Sequence, residues 1–182
     1  NDGVGSECPQ SISSLYDGNA FDMGFAFDGD GDRMIAFDEN GRKLAGEATL
    51  GLLAIRVKQQ AMLKENVLVT TAQSNLGLDA ALGQEGISVK RVDIGDKFVS
   101  RLMIAEGFSL GGEESGHVVV GSFSMTGDGL FAALKVAQVS VETQKPLSEL
   151  ASFYEAFPQE TRAIRVASKP ALETCLTVAS TI

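Results

Sequence analysis

The chain has 182 residues, 44% of them apolar, which is enough for the packed core of one large domain or two small ones. Acidic residues outnumber lysine and arginine by 24 to 15, and the net charge of −9 argues against nucleic acid or an anionic membrane as the main partner. No apolar run is long enough for a membrane span. Two distant cysteines, Cys8 and Cys175, indicate neither a disulfide framework nor a zinc site and favour a cytoplasmic protein.

The first 46 residues predict the end of an α/β domain. After a polar loop with one short helix near residues 11–16, apolar runs at 23–27 and 34–37 predict two strands joined by an acidic loop. Asn40 and Gly41 then predict a two-residue β-hairpin turn, because both tolerate a positive φ. Half a domain leaves an open sheet edge, so we expect residues 1–46 to be partly disordered or to pair with another chain.

Helices and strands alternate from residue 47 onward, which predicts a mixed sheet with helix crossovers over residues 47–157 and a linker over 158–182. In the last long helix, four apolar residues fall on one face: Leu130, Leu134, Ala137 and Val141. Ser74 is predicted to cap the second helix. The predicted helices span residues 47–64, 75–84, 96–106 and 128 onward, with a short one after Pro146, and the predicted strands span 67–69, 87–92, 108–110, 118–120 and 161–166.

The acidic loop predicts a cation site. Asp28, Asp30 and Asp32 alternate with glycines, and carboxylates ~5 Å apart repel one another by about 3 kcal/mol per pair at an effective dielectric constant near 20. A hard divalent cation compensates this repulsion, since oxygen ligands suit Mg²⁺ or Ca²⁺. Arg33 adds a fixed positive charge that suits a phosphoryl oxygen. We therefore predict Mg²⁺ bound between two strands.

Two other interpretations of this loop stay open. Three aspartates can form a solvated turn that binds no specific ion. A calcium-binding helix–loop–helix matches at Asp28, Asp30, Asp32 and Glu39, but Arg33 stands where that loop needs glycine, and the flanking runs indicate strands.

A second polar loop, Gly-Gly-Glu-Glu-Ser-Gly-His at residues 111–117, predicts a sugar site. In an extended segment Glu113, Ser115 and His117 would project to one side, where their side chains suit a polyhydroxylated ligand. The alternative is a glycine-rich turn with exposed polar residues. His117 is the only histidine, and a lone histidine is more often a hydrogen-bonding residue than a catalyst.

The order of three motifs resembles the α-D-phosphohexomutase family. These are Asp-Gly-Asp-Gly-Asp-Arg at residues 28–33, the loop at 111–117, and Thr-Gly-Asp-Gly at 126–129. The resemblance extends from residue 1 to about 158, and the third motif points to the branch that acts on glucosamine phosphate.

The resemblance implies a role for each candidate residue. Asp28, Asp30 and Asp32 would hold Mg²⁺ in the second of four domains, and Arg33 would contact the transferring phosphoryl group. In the third domain, Glu113, Ser115 and His117 would hold the hydroxyls of a phosphosugar substrate. A phosphoserine of the first domain would phosphorylate the sugar, and the resulting bisphosphate would turn over and return its other phosphate to the serine.

The chain departs from the family pattern in the serine loop. The segment 71–75, Thr-Ala-Gln-Ser-Asn, resembles that loop superficially but lacks its histidine. We therefore expect the chain to contain the end of a second domain (residues 1–46) and a third domain (47–157). We expect the chain to be inactive without the missing domains of the same parent protein. A phosphomannomutase or phosphoglucomutase, and a non-enzymatic metal- or sugar-binding module, remain as alternatives.

Overall fold

Two sheets and six α-helices form the part of the chain that the computed structural model describes, residues 3–6, 8, 10–17 and 20–160. Within that part, no helix combines the length and apolar character that a bilayer crossing requires. The strand predicted over 161–166 lies outside the described residues. The elements are α1 (Gln10–Ser13), β1 (Gly24–Phe27), β2 (Met34–Phe37), α2 (Gly46–Gln59), β3 (Val67–Thr71), α3 (Gly77–Gln84), β4 (Ser88–Val92), α4 (Asp96–Glu106), β5 (Leu110–Gly112), β6 (Val118–Val120), α5 (Gly129–Thr143) and α6 (Leu147–Leu150).

The hairpin unit is an antiparallel pair of β1 and β2 joined by the acidic loop, as predicted. Beyond β2 the chain reverses, and the Asp38 side chain organises the turn by accepting hydrogen bonds from the N–H groups of Asn40 and Arg42, both at 2.9 Å. Gly41 adopts a positive φ of 70°, whereas Asn40 does not. The reversal is therefore confirmed, but it is a longer loop held by Asp38 and not the two-residue turn expected from Asn40 and Gly41.

The second unit is a four-stranded mixed sheet in the order β4-β3-β5-β6. Strand β3 runs parallel to β4 and β5, and β6 is antiparallel to β5. Alternate strand residues face opposite layers: Leu68 packs with α2, α3 and α5, while Val69 packs with α4. The predicted fold class, a mixed sheet with helix crossovers preceded by a β hairpin, is confirmed.

The two units share one hydrophobic core. Met34 and Ala36 of β2 are buried in the same cluster as Leu50 of α2 and Val136 of α5. Glu39, just after β2, accepts hydrogen bonds from the backbone N–H of Ser148 at 3.3 Å and from its hydroxyl, 109 residues away. The hairpin is thus packed against the second unit by apolar contacts and by hydrogen bonds.

The N-cap predicted for α3 is wrong. Ser74 directs its hydroxyl to that of Thr70, 2.7 Å away, and Asn75 accepts the hydrogen bond from Gly77 N–H at 2.9 Å. Helix α3 therefore begins at Gly77, two residues later than predicted. The side-chain oxygen of Asn75, and not the Ser74 hydroxyl, therefore accepts from the first N–H of the helix.

The apolar face noted on α5 lies on the outside. Leu130 and Leu134 are each 61% exposed and Val141 is 74% exposed. The helix instead buries the face that carries Ala132, Ala133, Val136 and Val139. Small and β-branched side chains on that face let α5 pack against α2 and β2.

Glu39→Ala is expected to lower the free energy of unfolding by about 1 kcal/mol at pH 7, because two hydrogen bonds between the units are lost. Burial alone would raise the pKa of Glu39, but the hydrogen bonds that its carboxylate accepts, chiefly from Ser148 and also from Asn40, together outweigh burial and lower the pKa. The carboxylate therefore stabilises the fold above its unfolded pKa, ~4.3, and this stabilisation is lost as the pH falls through the lower folded pKa.

Urea denaturation at pH 7 and at successively lower pH values measures this effect. The difference between wild type and Glu39→Ala should shrink below about pH 4. Glu85→Ala, which removes an exposed carboxylate elsewhere, serves as the control. Equal stability of wild type and Glu39→Ala at pH 7 would contradict the prediction.

Candidate functional site

The candidate site lies where loops from both units meet at the carboxyl ends of β1, β4 and β5. The N–H of Met34, at the start of β2, donates to the carbonyl of Gly116 at 3.0 Å. Gly95, which follows β4, donates its N–H to the carboxylate of Glu113 at 3.1 Å. The carboxyl ends of parallel strands in α/β sheets are the usual location of ligand sites.

The acidic loop brings its three carboxylates together. Asp28, Asp30 and Asp32 each offer one oxygen, and these oxygens lie within 4.8 Å of one another. Asp30 is exposed, while the other two are partly buried. Because strands β1 and β2 flank the loop, the calcium-binding helix–loop–helix interpretation is wrong.

Arg33 holds Asp28 from two sides. Its backbone N–H donates to one carboxylate oxygen of Asp28 at 3.1 Å, and its Nε donates to the other at 2.6 Å. Burial alone would raise the pKa of Asp28, but these hydrogen bonds outweigh it and lower the pKa. The Nε of Arg33 also lies 3.7 Å from Asp32 Oδ1, so the guanidinium offsets part of the repulsion within the loop.

Asp32 is held by a residue of the other loop. His117 Nδ1 lies 3.1 Å from Asp32 Oδ2, whereas Oδ1 is buried and has no hydrogen-bond partner among the described residues. Burial and the neighbouring carboxylates of Asp28 and Asp30 raise the pKa of Asp32, although His117 acts in the opposite direction. A buried oxygen without a hydrogen bond, beside two further carboxylates, is a donor set that fits a hard divalent cation.

The loop at residues 113–117 is a tight turn and not the extended segment expected from the sequence. Gly116 N–H donates to the carbonyl of Glu113 at 3.1 Å, and Glu113 N–H donates to the carbonyl of His117 at 2.8 Å. The turn forms because Gly112 and Val118 face each other in the β5–β6 ladder. Gly116 has a φ of 93°, and any Cβ there would overlap the Met34 carbonyl oxygen.

The turn leaves several polar groups inside the site. Burial raises the pKa of Glu113, although the hydrogen bond from Gly95 acts in the opposite direction. Ser115 Oγ and His117 Nε2 are buried, and neither has a hydrogen-bond partner among the described residues. Buried polar atoms without a hydrogen-bond partner are rare in folded proteins, which makes these two atoms candidates for contact with a ligand.

Two contacts of the site were missed by sequence reasoning. Gly95 gave no signal that its N–H would reach Glu113. The motif at 126–129 was recognised only as a pattern, whereas in the structure Gly129 N–H donates to the Gly31 carbonyl at 2.9 Å and Asp128 caps α5 by accepting from Phe131 N–H at 2.8 Å. The contacts of Gly95 with Glu113 and of Gly129 with Gly31 join residues that are distant in the sequence, whereas the Asp128 cap is local.

Comparisons with known proteins agree on one family. Residues 45–157 match the family model described as phosphoglucomutase/phosphomannomutase, alpha/beta/alpha domain III. The chain is 44% identical over 166 residues to a phosphoglucosamine mutase of Streptococcus agalactiae serotype Ia and 43% identical over 169 residues to one of Bacillus cytotoxicus. These alignments cover 91% and 93% of this chain but only 37% and 38% of those relatives.

A solved structure shares the fold. The crystal structure of a phosphoglucomutase/phosphomannomutase family protein from Burkholderia thailandensis superimposes with a TM-score of 0.74 at 23% sequence identity. The superposition covers 84% of this chain and 33% of that protein.

Proposed function

This chain belongs to the phosphoglucomutase/phosphomannomutase family of α-D-phosphohexomutases, and from that premise we propose that it forms the cation- and sugar-binding part of an enzyme that interconverts glucosamine 6-phosphate and glucosamine 1-phosphate. The observation that carries the proposal is the approach of the two loops, in which His117 Nδ1 lies 3.1 Å from Asp32 Oδ2. A cation at the aspartates and a sugar at the turn would then be neighbours.

In this proposal the acidic loop binds Mg²⁺ and a phosphoryl group. Asp28, Asp30 and Asp32 would hold the cation, since their oxygens already converge within 4.8 Å. When bound, Mg²⁺ supplies positive charge that stabilises the transferring phosphoryl group. Arg33, whose guanidinium lies beside Asp28 and Asp32, would donate hydrogen bonds to the phosphoryl oxygens.

The turn at residues 113–117 would orient the sugar. The carboxylate of Glu113 can accept hydrogen bonds from sugar hydroxyls, and Ser115 Oγ and His117 Nε2 can each donate or accept. Both of the latter atoms are buried and lack a hydrogen-bond partner among the described residues. Holding the sugar hydroxyls fixed would direct a phosphate toward Arg33, so that positioning supplies much of the rate acceleration.

Glucosamine phosphate is favoured as the substrate because the relatives at 43–44% identity are named phosphoglucosamine mutases. A cytoplasmic enzyme of cell-wall precursor synthesis is the corresponding role. The family also includes enzymes named for glucose and mannose phosphates, and these substrates are the second candidates.

The remainder of a longer parent protein is the proposed partner of the hairpin. Among the described residues β1 pairs with β2 alone, apart from a hydrogen bond from Ser6 N–H to the Phe27 carbonyl. The relatives extend well beyond this chain, which spans less than two fifths of their length. An added strand beside β1 would pair its free backbone groups and remove the exposed edge.

Asp30→Asn is expected to weaken Mg²⁺ binding about tenfold or more, because one of the three carboxylate ligands loses its charge. Isothermal titration calorimetry of the chain with Mg²⁺ measures the change. Asp17→Asn, an exposed aspartate outside the loop, is the charge-matched control and should bind Mg²⁺ like wild type. Unchanged affinity in Asp30→Asn would remove the loop from the cation site.

Tighter binding of Ca²⁺ than of Mg²⁺, with no effect of a sugar phosphate, would favour a non-enzymatic binding module.

The 182-residue chain alone is expected to show no Mg²⁺-dependent mutase turnover, because the serine loop of the family is not found in its sequence. A polypeptide of the relatives' length that contains this chain should convert glucosamine phosphate in preference to mannose or glucose phosphate. Coupled assays with the three sugar phosphates measure both expectations. Turnover by the chain alone would contradict the first, and a preference for mannose or glucose phosphate would contradict the second.

Hydrogen exchange tests the proposed partner of the hairpin. Alternate amides of β1 (Gly24–Phe27) should exchange at least about tenfold more slowly in the longer polypeptide, where an added strand would accept their hydrogen bonds. Amides of β3, which already pairs on both sides, are the internal control. Equal exchange of β1 in both proteins would contradict strand addition.

A further inference from the structure

The ring of His117 is enclosed between the acidic loop and the turn that precedes α5. His117 is only 4% exposed, and its Nδ1 faces Asp32 Oδ2 at 3.1 Å. Gly127 lies against the ring: a Cβ built on it would be 2.5 Å from Nε2 and 2.7 Å from Nδ1. Real side chains do not approach that closely, so any residue with a Cβ at this position would displace the ring or the turn.

Space, and not backbone conformation, requires glycine at this position. The φ of Gly127 lies outside the left-handed region, so an alanine could adopt the same backbone. The turn cannot simply move away, because the Gly129 N–H donates to the Gly31 carbonyl at 2.9 Å and Asp128 caps α5. The three heavy atoms nearest to a Cβ built on Gly127 all belong to the His117 ring, so the ring is what requires the absence of a side chain at this position.

We propose that Gly127 is a positioning residue for the cation site: it gives the His117 ring the space in which Nδ1 meets Asp32 Oδ2. That contact fixes the rotation of the Asp32 carboxylate and leaves Oδ1, which is buried and has no hydrogen bond among the described residues, as the oxygen offered to the cation. Residues that hydrogen-bond to a ligating carboxylate orient it and raise metal affinity in this way. The inference rests on the proposed cation site, but its structural part does not require the ion.

NMR of the single histidine tests the inference directly. Because His117 is the only histidine of the chain, its ring Cε1–H gives one unambiguous ¹H–¹³C signal. Gly127→Ala should move this signal in the absence of any metal and weaken Mg²⁺ binding by about tenfold. Gly83→Ala is the matched control, since a Cβ on Gly83 meets nothing within 4 Å, and it should leave both quantities unchanged.

A double-mutant cycle with His117→Ala separates positioning through the ring from a general effect on the fold. His117→Ala should weaken Mg²⁺ binding by itself, and adding Gly127→Ala should cause no further loss, because the ring through which Gly127 acts is gone. Additive losses would overturn the proposal. A folded Gly127→Ala variant with an unmoved ring signal and unchanged Mg²⁺ affinity would overturn it as well.

If Gly127→Ala alone fails to fold, the double variant provides the test. The double variant lacks the ring that a Cβ at residue 127 would overlap, so it should fold and should bind Mg²⁺ with the same affinity as His117→Ala. A double variant that stays unfolded would overturn the proposal. Failure of the wild-type chain to bind Mg²⁺ would contradict the metal part of the proposed function, whereas the metal-free shift of the ring signal would still report on Gly127.

Discussion

The mutual repulsion of Asp28, Asp30 and Asp32 is the constraint on which the arrangement of the site depends. Arg33 compensates it at Asp28 from within the loop, through a backbone and a side-chain hydrogen bond. At Asp32, where the Nε of Arg33 lies farther away at 3.7 Å, the closer contact comes from His117, a residue of the other unit 85 positions later. The acidic loop therefore has its full set of contacts only when it is packed against the β5–β6 turn.

The hairpin also depends on the second unit for part of its core. Met34 and Ala36 are buried together with residues of α2 and α5, so the strand that follows the acidic loop is held by the second unit. Ala26, Ile35 and Phe37 form a smaller cluster on the other face with Ile12 and Tyr16. The packing that stabilises the hairpin also sets the position of the three carboxylates relative to the turn at residues 113–117.

Features that depend on neighbouring residues could be predicted from the sequence. The bounds of α4 agree with the prediction, because Gly107 ends the helix with a left-handed φ of 70°. The acidic loop between two strands and the reversal after β2 were predicted for the same reason. The family was also predictable, since its motifs are contiguous stretches in a fixed order.

Features that depend on distant residues could not be predicted. Alternation suggested an extended segment at 113–117, but pairing of β5 with β6 turned it into a tight loop. On α5, periodicity identified an apolar face without showing that the face of smaller side chains would pack inward. The contact of Gly127 with His117 joins two short motifs whose separate sequences contain no sign of it.

The hydrogen bonds from Met34 to Gly116 and from Gly129 to Gly31 are formed entirely by main-chain atoms. Their geometry does not depend on which side chains surround them, provided that the glycines at the close approaches remain. Side chains at residues 113–115 can therefore be substituted while the separation between the carboxylates and the turn stays unchanged. Under the proposed function, the contacts with the sugar and the distance from the sugar to the carboxylates are thus set separately, the first by side chains of the turn and the second by main-chain hydrogen bonds.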